Sequence, residues 1–89
     1  MREEVLVLKN RLGLHARAAA KLVQAAAAFE SKISITKDGD EVDGKSILGL
    51  LLLAAGKGTE LLVRVEGPDE EAAFAAVRDL VDRRFDEAE

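Results

Sequence analysis

The sequence predicts a single α+β domain over residues 1–89, in which helices cover one face of a four-stranded antiparallel sheet. Three observations predict this class. Short runs typical of strands occur four times, longer segments with helical spacing occur three times, and their order is strand–helix–strand–strand–helix–strand–helix. A ferredoxin-like fold uses the same first six elements, so the pattern alone leaves two arrangements of the strands open.

The first half of the chain contains three predicted strands and one helix. Residues 5–8 form an apolar, partly β-branched run that is typical of a strand. Alanine enrichment and apolar residues at helical spacing predict a helix over 16–29. Apolar and hydroxyl residues alternate over 33–36, which indicates a half-buried strand. The turn residues 37–40 then lead into a short return strand over 41–43.

The second half contains one more strand between two helices. Residues 46–55 predict a helix whose first residue, Ser46, can serve as its N-cap. Alternation over 61–66 predicts the last strand, and Pro68 followed by carboxylates marks the start of the final helix. The apolar stripe of that helix consists of Ala73, Phe74, Val77, Leu80 and Val81. We expect the acidic end, residues 86–89, to be a frayed and solvated tail.

The composition excludes several functional classes. The chain has 17 acidic and 13 basic side chains, a formal net charge of −4 and only 3% aromatic residues. Neither a basic stripe for nucleic acid nor a base-stacking surface is therefore expected. The absence of Cys and the single His exclude disulfides, thiolate catalysis, Cys-based zinc sites and a multi-histidine metal site within one chain. We expect no metal and no cofactor.

No segment has the pattern of a signal peptide or a membrane span. The longest apolar stretch, 47–55, is far shorter than the roughly 20 residues that a bilayer-crossing helix needs. We therefore expect a cytoplasmic protein without membrane insertion.

His15 stands where the loop after the first strand enters the first helix. The first N–H groups of a helix have no internal partners, and the positive end of the helix dipole lies there, so a phosphoryl dianion is favoured at this place. Arg17 adds forked donors suited to phosphate oxygens, and a neutral imidazole can act as a nucleophile. Gly13 permits a close approach of the chain to the helix. A lone histidine is more often an ordinary capping residue, and it is the combination with Arg17 and a second motif that favours a phosphoryl site.

Two motifs together resemble those of a known family. Residues 13–17, Gly-Leu-His-Ala-Arg, are followed further along the chain by residues 45–49, Lys-Ser-Ile-Leu-Gly. This pair is similar to the HPr family, the histidine-containing phosphocarriers of the bacterial phosphoenolpyruvate-dependent sugar phosphotransferase system, and the similarity extends over nearly the whole chain. The resemblance implies an open-faced sandwich with strand order 1-4-2-3 and three helices on one side.

The resemblance also implies a role for each residue of the first motif. His15 would carry a phosphoryl group on its ring Nδ1, accepted from phosphorylated Enzyme I and passed to a histidine of an enzyme IIA domain. Arg17 would be the charge partner of that group, and the backbone N–H groups of Ala16 and Arg17 would stabilise it. We expect a monomer that is acted on by enzymes and is not itself one. Ala18 departs from the Pro of many members, which predicts a modest effect on rate.

Ser46 has two compatible roles. Its hydroxyl can cap the second helix. In the resembling family, particularly its Gram-positive members, the matching serine is also phosphorylated by an ATP-dependent HPr kinase/phosphorylase, and residues 45–49 fit that pattern. A phosphate here would add about two negative charges to a docking surface.

Residues 39–46 also satisfy the expression of a phosphate-binding P-loop, G-x-x-x-x-G-K-[ST]. We reject a nucleotide site because Asp40, Glu41 and Asp43 would repel a triphosphate. No apolar run ending in Asp supplies the magnesium ligand of that class either. We therefore treat the match as accidental.

The second helix is apolar on two faces, which a one-layer sheet cannot bury together. Core packing accounts for Leu50 and Leu53 but poorly for Leu48 and Leu51, so we expect an exposed apolar patch. The resemblance implies that this patch and the start of the first helix dock Enzyme I and enzyme IIA. The predicted docking residues are Ala20, Lys21, Gln24, Ile47, Leu48 and Leu51. The predicted positive rim consists of Arg17, Lys21 and Lys45.

Two other functions remain open. A regulatory or nitrogen-type member of the same family would act mainly through Ser46 and partner docking, so Ser46→Asp would change partner affinity even when His15 is replaced. A ferredoxin-like small-ligand domain would hold a pocket between subunits and accept no phosphoryl group. A hydrolase is the hardest to defend, because His15 has no nucleophile or triad to serve.

Overall fold

Four strands and three α-helices alternate along residues 1–87, the part of the chain that the computed structural model describes. The strands are β1 Arg2–Val7, β2 Lys32–Lys37, β3 Asp40–Asp43 and β4 Glu60–Glu66. The helices are α1 Ala16–Ala27, α2 Ile47–Leu52 and α3 Glu70–Asp82. The antiparallel sheet has the order β1-β4-β2-β3, which confirms the predicted open-faced sandwich and selects it over the ferredoxin-like arrangement.

The two central strands decide which face of the sheet is covered. Val63 and Val65 of β4 are buried, and they pair with Ile35 and Ile33 of β2, which are buried too. Arg64, between the two valines, lies on the opposite face and is half-buried. The predicted alternation of burial is confirmed for β4, whose successive residues point to opposite faces. In β2 the prediction of a half-buried strand is wrong at Ser34, which is buried like Ile33 and Ile35.

The longer helices bury one face each against this sheet. The predicted stripe of the last helix is confirmed, since all of its members are buried. The buried residues are Ala18, Ala19, Leu22 and Ala26 in α1 and Ala73, Phe74, Val77, Leu80 and Val81 in α3. Within residues 1–87, every helix is too short or too polar to cross a bilayer.

Two element boundaries differ clearly from the predictions. β1 begins at Arg2 rather than at residue 5, because Arg2 pairs with Val65 and the ladder extends beyond the apolar run. α2 ends at Leu52 rather than at residue 55, because Ala54 adopts the left-handed backbone that commonly terminates a helix, with a φ of 50°.

Residues 39–46 form a hairpin strand and the entry to α2. Asp38 and Gly39 have φ values of 51° and 86°, and a tight two-residue hairpin turn requires such positive values. β3 pairs with β2, and the N–H of Gly44 donates to Ile33 O at 2.8 Å. This hairpin geometry supports the rejection of the P-loop match, because these backbone groups belong to a sheet.

The last described residues, 84–87, lie against the body of the domain. The short 3-10 turn Arg84–Asp86 has φ values of 57°, 53° and 62° at its three residues. Phe85 is buried, and Lys21 Nζ donates to its carbonyl oxygen at 2.8 Å. The prediction of a frayed, solvated tail is wrong for Glu87, whose side chain is largely buried against His15 and Asn10. Asp86 belongs to the 3-10 turn and is therefore not frayed, but its side chain is about half exposed, as predicted. The last two positions of that predicted tail lie outside the described residues.

Candidate functional site

His15 caps the start of α1. Its backbone is extended, with φ of −76° and ψ of −179°. Its carbonyl oxygen accepts the first helical hydrogen bond, from the N–H of Ala19, at 2.8 Å. The ring Nδ1 accepts from the backbone N–H of Arg17 at 3.3 Å. Nδ1 therefore faces the positive end of the helix dipole and the N–H groups of the first turn.

The loop before His15 is held against the segment that follows α2. The N–H of Leu14 donates to Ala55 O at 2.8 Å. Gly13 has a φ of 63°, and a Cβ atom at this position would lie 2.4 Å from the same carbonyl oxygen. A close approach at Gly13 was expected toward the first helix, and the structure places it instead against the backbone of Ala55 and Gly56, with which any side chain would collide.

The second ring nitrogen of His15 contacts a residue from the other end of the chain. His15 Nε2 lies 2.6 Å from Glu87 Oε2, and the two side chains are 28% and 17% exposed. The fully buried Asn10 donates from Nδ2 to Glu87 Oε2 at 3.0 Å and to Gly13 O at 2.7 Å. Sequence reasoning missed both partners. Asn10 follows the predicted strand over residues 5–8 without a motif of its own, and no local pattern links Glu87 to His15.

The three cations of the predicted positive rim differ in their contacts. Arg17 is exposed, and its guanidinium has no hydrogen bond or ion pair within residues 1–87. Lys21 Nζ donates to Phe85 O at 2.8 Å, and Lys45 Nζ donates to Phe29 O at 2.7 Å. Of these three cations, Arg17 is therefore the one whose donors can take a new ligand without breaking a described contact.

Ser46 caps the start of α2, as predicted. Its Oγ accepts from the N–H of Gly49 at 3.1 Å. The preceding N–H, that of Lys45, donates to Asp43 Oδ1 at 2.9 Å, which fixes the turn from β3 into the helix. The capping role of Ser46 is confirmed, whereas its phosphorylation stays a prediction.

Helix α2 leaves most of its apolar side chains outside the core. Leu50 and Leu53 are buried. The exposed members are Ile47, Leu48, Leu51 and Leu52, hereafter the α2 patch. Leu48 is 71% exposed and Leu52 is 82% exposed. Among the predicted docking residues of α1, Gln24 is exposed while Ala20 and Lys21 are half-buried, and α1 packs against α2. The expected exposure is confirmed, and the docking role stays a prediction.

Comparison with known protein families shows to which family the chain belongs. Residues 2–83 match the family described as "PTS HPr component phosphorylation site", where PTS is the phosphotransferase system. The matched range includes His15, Arg17 and Ser46. The chain belongs to the HPr family. This confirms the resemblance, and the HPr family consists of phosphocarriers of the phosphotransferase system.

Individual HPr proteins resemble the chain over nearly its full length. The phosphocarrier protein HPr of Xylella fastidiosa strain 9a5c is 48% identical over 87 residues, which cover 98% of each chain. The crystal structure of HPr-C-His from Thermoanaerobacter tengcongensis is 42% identical, covers 100% of both chains and has a TM-score of 0.97. A crystal structure of an HPr dimer from the same organism is 42% identical, covers 98% of this chain and 100% of that one, and has a TM-score of 0.79. The monomeric state expected of this HPr chain stays a prediction.

Ala18, which stands where many members of the family have Pro, lies three residues after His15. Ala18 is fully buried in the first turn of α1, directly after Arg17. Alanine is the best helix former, so the turn continues regularly through this position. The expected modest effect of Ala18 on rate stays a prediction.

Proposed function

We propose that this chain accepts a phosphoryl group on His15 Nδ1 from phosphorylated Enzyme I and passes it to a histidine of an enzyme IIA domain. The observation that carries the proposal is the position of Nδ1, 3.3 Å from the N–H of Arg17 at the start of α1. An oxygen of the incoming phosphoryl group would take over this hydrogen bond at the positive end of the helix dipole.

Acceptance would be a displacement at phosphorus. The lone pair of Nδ1 forms the new bond to phosphorus, while the bond from phosphorus to the donor's leaving atom breaks and its electron pair departs with the donor. The proton on Nε2 stays on the ring, which becomes positively charged. Delivery reverses these changes at His15: the N–P bond breaks, its electron pair returns to Nδ1, and a ring nitrogen of the acceptor histidine forms the new bond.

Two groups of donors would stabilise the phosphoryl oxygens. The N–H groups of Ala16 and Arg17 precede Ala19, the first donor of a helical hydrogen bond, so neither has a helical partner. The N–H of Arg17 would pass from Nδ1 to a phosphoryl oxygen. The exposed guanidinium of Arg17 adds forked, charged donors. These steps use no cofactor, and each chain carries one phosphoryl group at a time between cytoplasmic partners. The proposed role is therefore that of a stoichiometric carrier rather than an enzyme.

The experiment that tests the proposal is incorporation of labelled phosphate. The chain is incubated with phosphoenolpyruvate and Enzyme I, and the product is treated with acid and with base. We expect a label that is acid-labile, base-stable and absent from His15→Ala. No incorporation into the wild-type chain, while a control HPr protein is labelled in the same mixture, would sink the proposal.

The α2 patch, extended by Ala20, Lys21 and Gln24 of α1, is the proposed docking surface for both partners. Its support is the exposure of several large apolar side chains on one short helix. Leu48→Ser should weaken binding to Enzyme I by about tenfold, in the range of a typical contact residue. Val5→Ser is the control, because Val5 is also exposed but belongs to β1. Equal effects of the two substitutions would remove the patch from the docking surface.

Ser46 supports a second, regulatory role that is compatible with the first. Its hydroxyl stands at the start of α2, next to the exposed Ile47, so phosphorylation by an HPr kinase/phosphorylase would place about two negative charges beside the α2 patch. Partner affinity of Ser46→Asp, measured with His15 intact and with His15→Ala, separates the roles. A carrier that is tuned by Ser46 loses affinity and transfer rate together. A purely regulatory member changes affinity and shows no transfer at all.

A further inference from the structure

The segment Arg84–Glu87 reaches His15 through backbone conformations that are unusual for its residue types. Each residue of the turn Arg84–Asp86 has a positive φ, and none of them is glycine. Such conformations are uncommon for residues that carry a Cβ atom. A run of three therefore indicates that tertiary contacts hold the segment in place.

Three contacts fix the segment on the surface that surrounds His15. The side chain of Phe85 is buried in the core. Lys21 Nζ donates to the carbonyl oxygen of Phe85 at 2.8 Å and lies 3.4 Å from Asp86 Oδ2. The buried amide of Asn10 donates to Glu87 Oε2 at 3.0 Å. Because Asn10 also binds the loop before His15, the same side chain sets the positions of the ring and of the carboxylate.

The two contacts of the His15 ring specify one tautomer. A neutral imidazole has one N–H, and the hydrogen bond of one nitrogen fixes the role of the other. The backbone N–H of Arg17 can only donate, so its contact requires a lone pair on Nδ1. The carboxylate of Glu87 can only accept, so its contact requires the proton on Nε2. Both requirements are met by the tautomer in which Nδ1 is unprotonated.

We propose that Glu87 is a positioning residue that holds His15 as the Nε2–H tautomer, with the Nδ1 lone pair directed at the start of α1. This inference rests on the proposed phosphoryl transfer to Nδ1 and adds the group that prepares the nitrogen for it. In the transfer, Nδ1 gains the bond to phosphorus, the donor's leaving atom keeps the electron pair of the broken bond, and the proton stays between Nε2 and the Glu87 carboxylate. The Glu87 carboxylate thus accepts the Nε2 proton in a hydrogen bond both before and after the transfer. Enzymes hold a catalytic side chain in position through a similar hydrogen bond from a neighbouring group.

The test combines the ring spectrum with the transfer rate. Long-range ¹H–¹⁵N correlation spectra at pH 8.5, where a free imidazole is neutral, report which ring nitrogen carries the proton. We expect the Nε2–H tautomer alone in the wild-type chain and a mixture in Glu87→Ala. The rate of phosphorylation by Enzyme I should fall by about 3- to 10-fold in Glu87→Ala, the loss expected for one hydrogen bond. Glu87→Gln keeps an acceptor oxygen, so it should retain the tautomer and a rate within about twofold of wild type.

The controls separate this inference from the function on which it rests. Glu71→Ala removes an equivalent charge at the start of α3, away from His15, and should change neither the ring tautomer nor the phosphorylation rate. Thermal unfolding checks that every variant is folded. The spectrum does not depend on labelling, so an unlabelled wild-type chain defeats the proposed function and leaves the tautomer measurable. A labelled wild-type chain with an unchanged tautomer in Glu87→Ala overturns the inference. A Glu87→Gln variant as slow as Glu87→Ala overturns it as well.

Discussion

The starts of α1 and α2 use the same local device for different purposes. In each, a side chain outside the helix accepts a backbone N–H of the first turn: His15 Nδ1 from Arg17 and Ser46 Oγ from Gly49. In each, a glycine lies two residues before the capping side chain, Gly13 in one case and Gly44 in the other. The capping hydrogen bond alone therefore does not distinguish the two helix starts.

The two starts differ in what reaches them from the rest of the chain. The cap at Ser46 is completed by near neighbours, since Asp43 holds the N–H of Lys45. The cap at His15 is completed by Glu87, which lies 72 residues further along the chain. The exposed guanidinium of Arg17, two residues after His15, has no partner among residues 1–87. The comparison teaches that a long-range contact and a cation without a partner in the described part of the chain, rather than the helix start, distinguish the proposed phosphoryl site.

The two glycines provide the largest expected contrast. A Cβ at Gly13 would meet backbone atoms, at 2.4 Å from Ala55 O, and the residue has a positive φ. A Cβ at Gly44 would meet the side chain of Ile33, with Cγ2 at 2.7 Å, and its φ is not in the left-handed region. We expect Gly13→Ala to lower the free energy of unfolding by about 3 kcal/mol and Gly44→Ala by about 1 kcal/mol. Urea unfolding measures both, and equal losses would contradict the stricter requirement at the α1 start.

Arg17 gives the next contrast, in rate rather than in stability. Arg17→Ala should lower the initial rate of His15 phosphorylation by about 10- to 100-fold, the cost of losing a charged hydrogen-bond partner of the phosphoryl group. The free energy of unfolding should change by less than about 0.5 kcal/mol, because the guanidinium has no partner within residues 1–87. Lys32→Ala on β2 is the matched control for charge. A similar loss of rate in both variants would mean that Arg17 acts only through net charge.

Ser46 tests whether the α2 cap is structural. Ser46→Ala removes the acceptor of the Gly49 N–H and should lower the free energy of unfolding by about 1 kcal/mol. Ser46→Asp keeps an N-cap acceptor and should stay within a few tenths of a kcal/mol of wild type, roughly the spread among good caps. Thermal unfolding of the two variants gives the comparison. A destabilised Ser46→Asp variant would show that the place cannot hold a negative charge and would weaken the case for phosphorylation there.

The smallest expected effect lies at the ends of the two helices. Ala54 after α2 has a φ of 50°, whereas Ala28 after α1 has an ordinary φ of −72°. Ala54→Gly should therefore raise the free energy of unfolding by about 0.5 kcal/mol, because glycine adopts the left-handed region without strain. Ala28→Gly should lower it by about as much, since glycine loses more chain entropy on folding. Denaturant titration resolves the opposite signs.

The fold was predictable because apolar residues recur at every second position in the central strands and at every third or fourth position in the helices. Ile33 and Ile35 are buried and stand two residues apart, as on one face of a strand. Phe74 and Val77 are buried and stand three residues apart, as on one face of a helix. His15 and Ser46 were predictable for a related reason, since capping depends on a few neighbouring residues. The strand order was not set by the pattern. It followed from the resemblance, and the pairing of β4 with both β1 and β2 confirms it.

The second contact of His15 was beyond sequence reasoning for a physical reason. Glu87 reaches the ring along a backbone path in which Arg84, Phe85 and Asp86 take positive φ values. The propensities of Arg84 and Phe85 oppose such values, and that of Asp86 only tolerates them. Burial of Phe85 and the amide of Asn10 hold that path, and both act over long separations in the chain. Acidic residues near a chain end ordinarily indicate a solvated tail, and tertiary contacts override that tendency here.

The contact of Glu87 with His15 offers a way to follow the phosphorylation state by fluorescence. The chain has no Cys, so Asp86→Cys would provide a single thiol for attaching an environment-sensitive dye. The side chain of Asp86 is about half exposed, and the next residue touches the His15 ring. A phosphoryl dianion arriving on that ring would change the electric field at the dye, so fluorescence could follow loading and delivery in real time without a radioactive label.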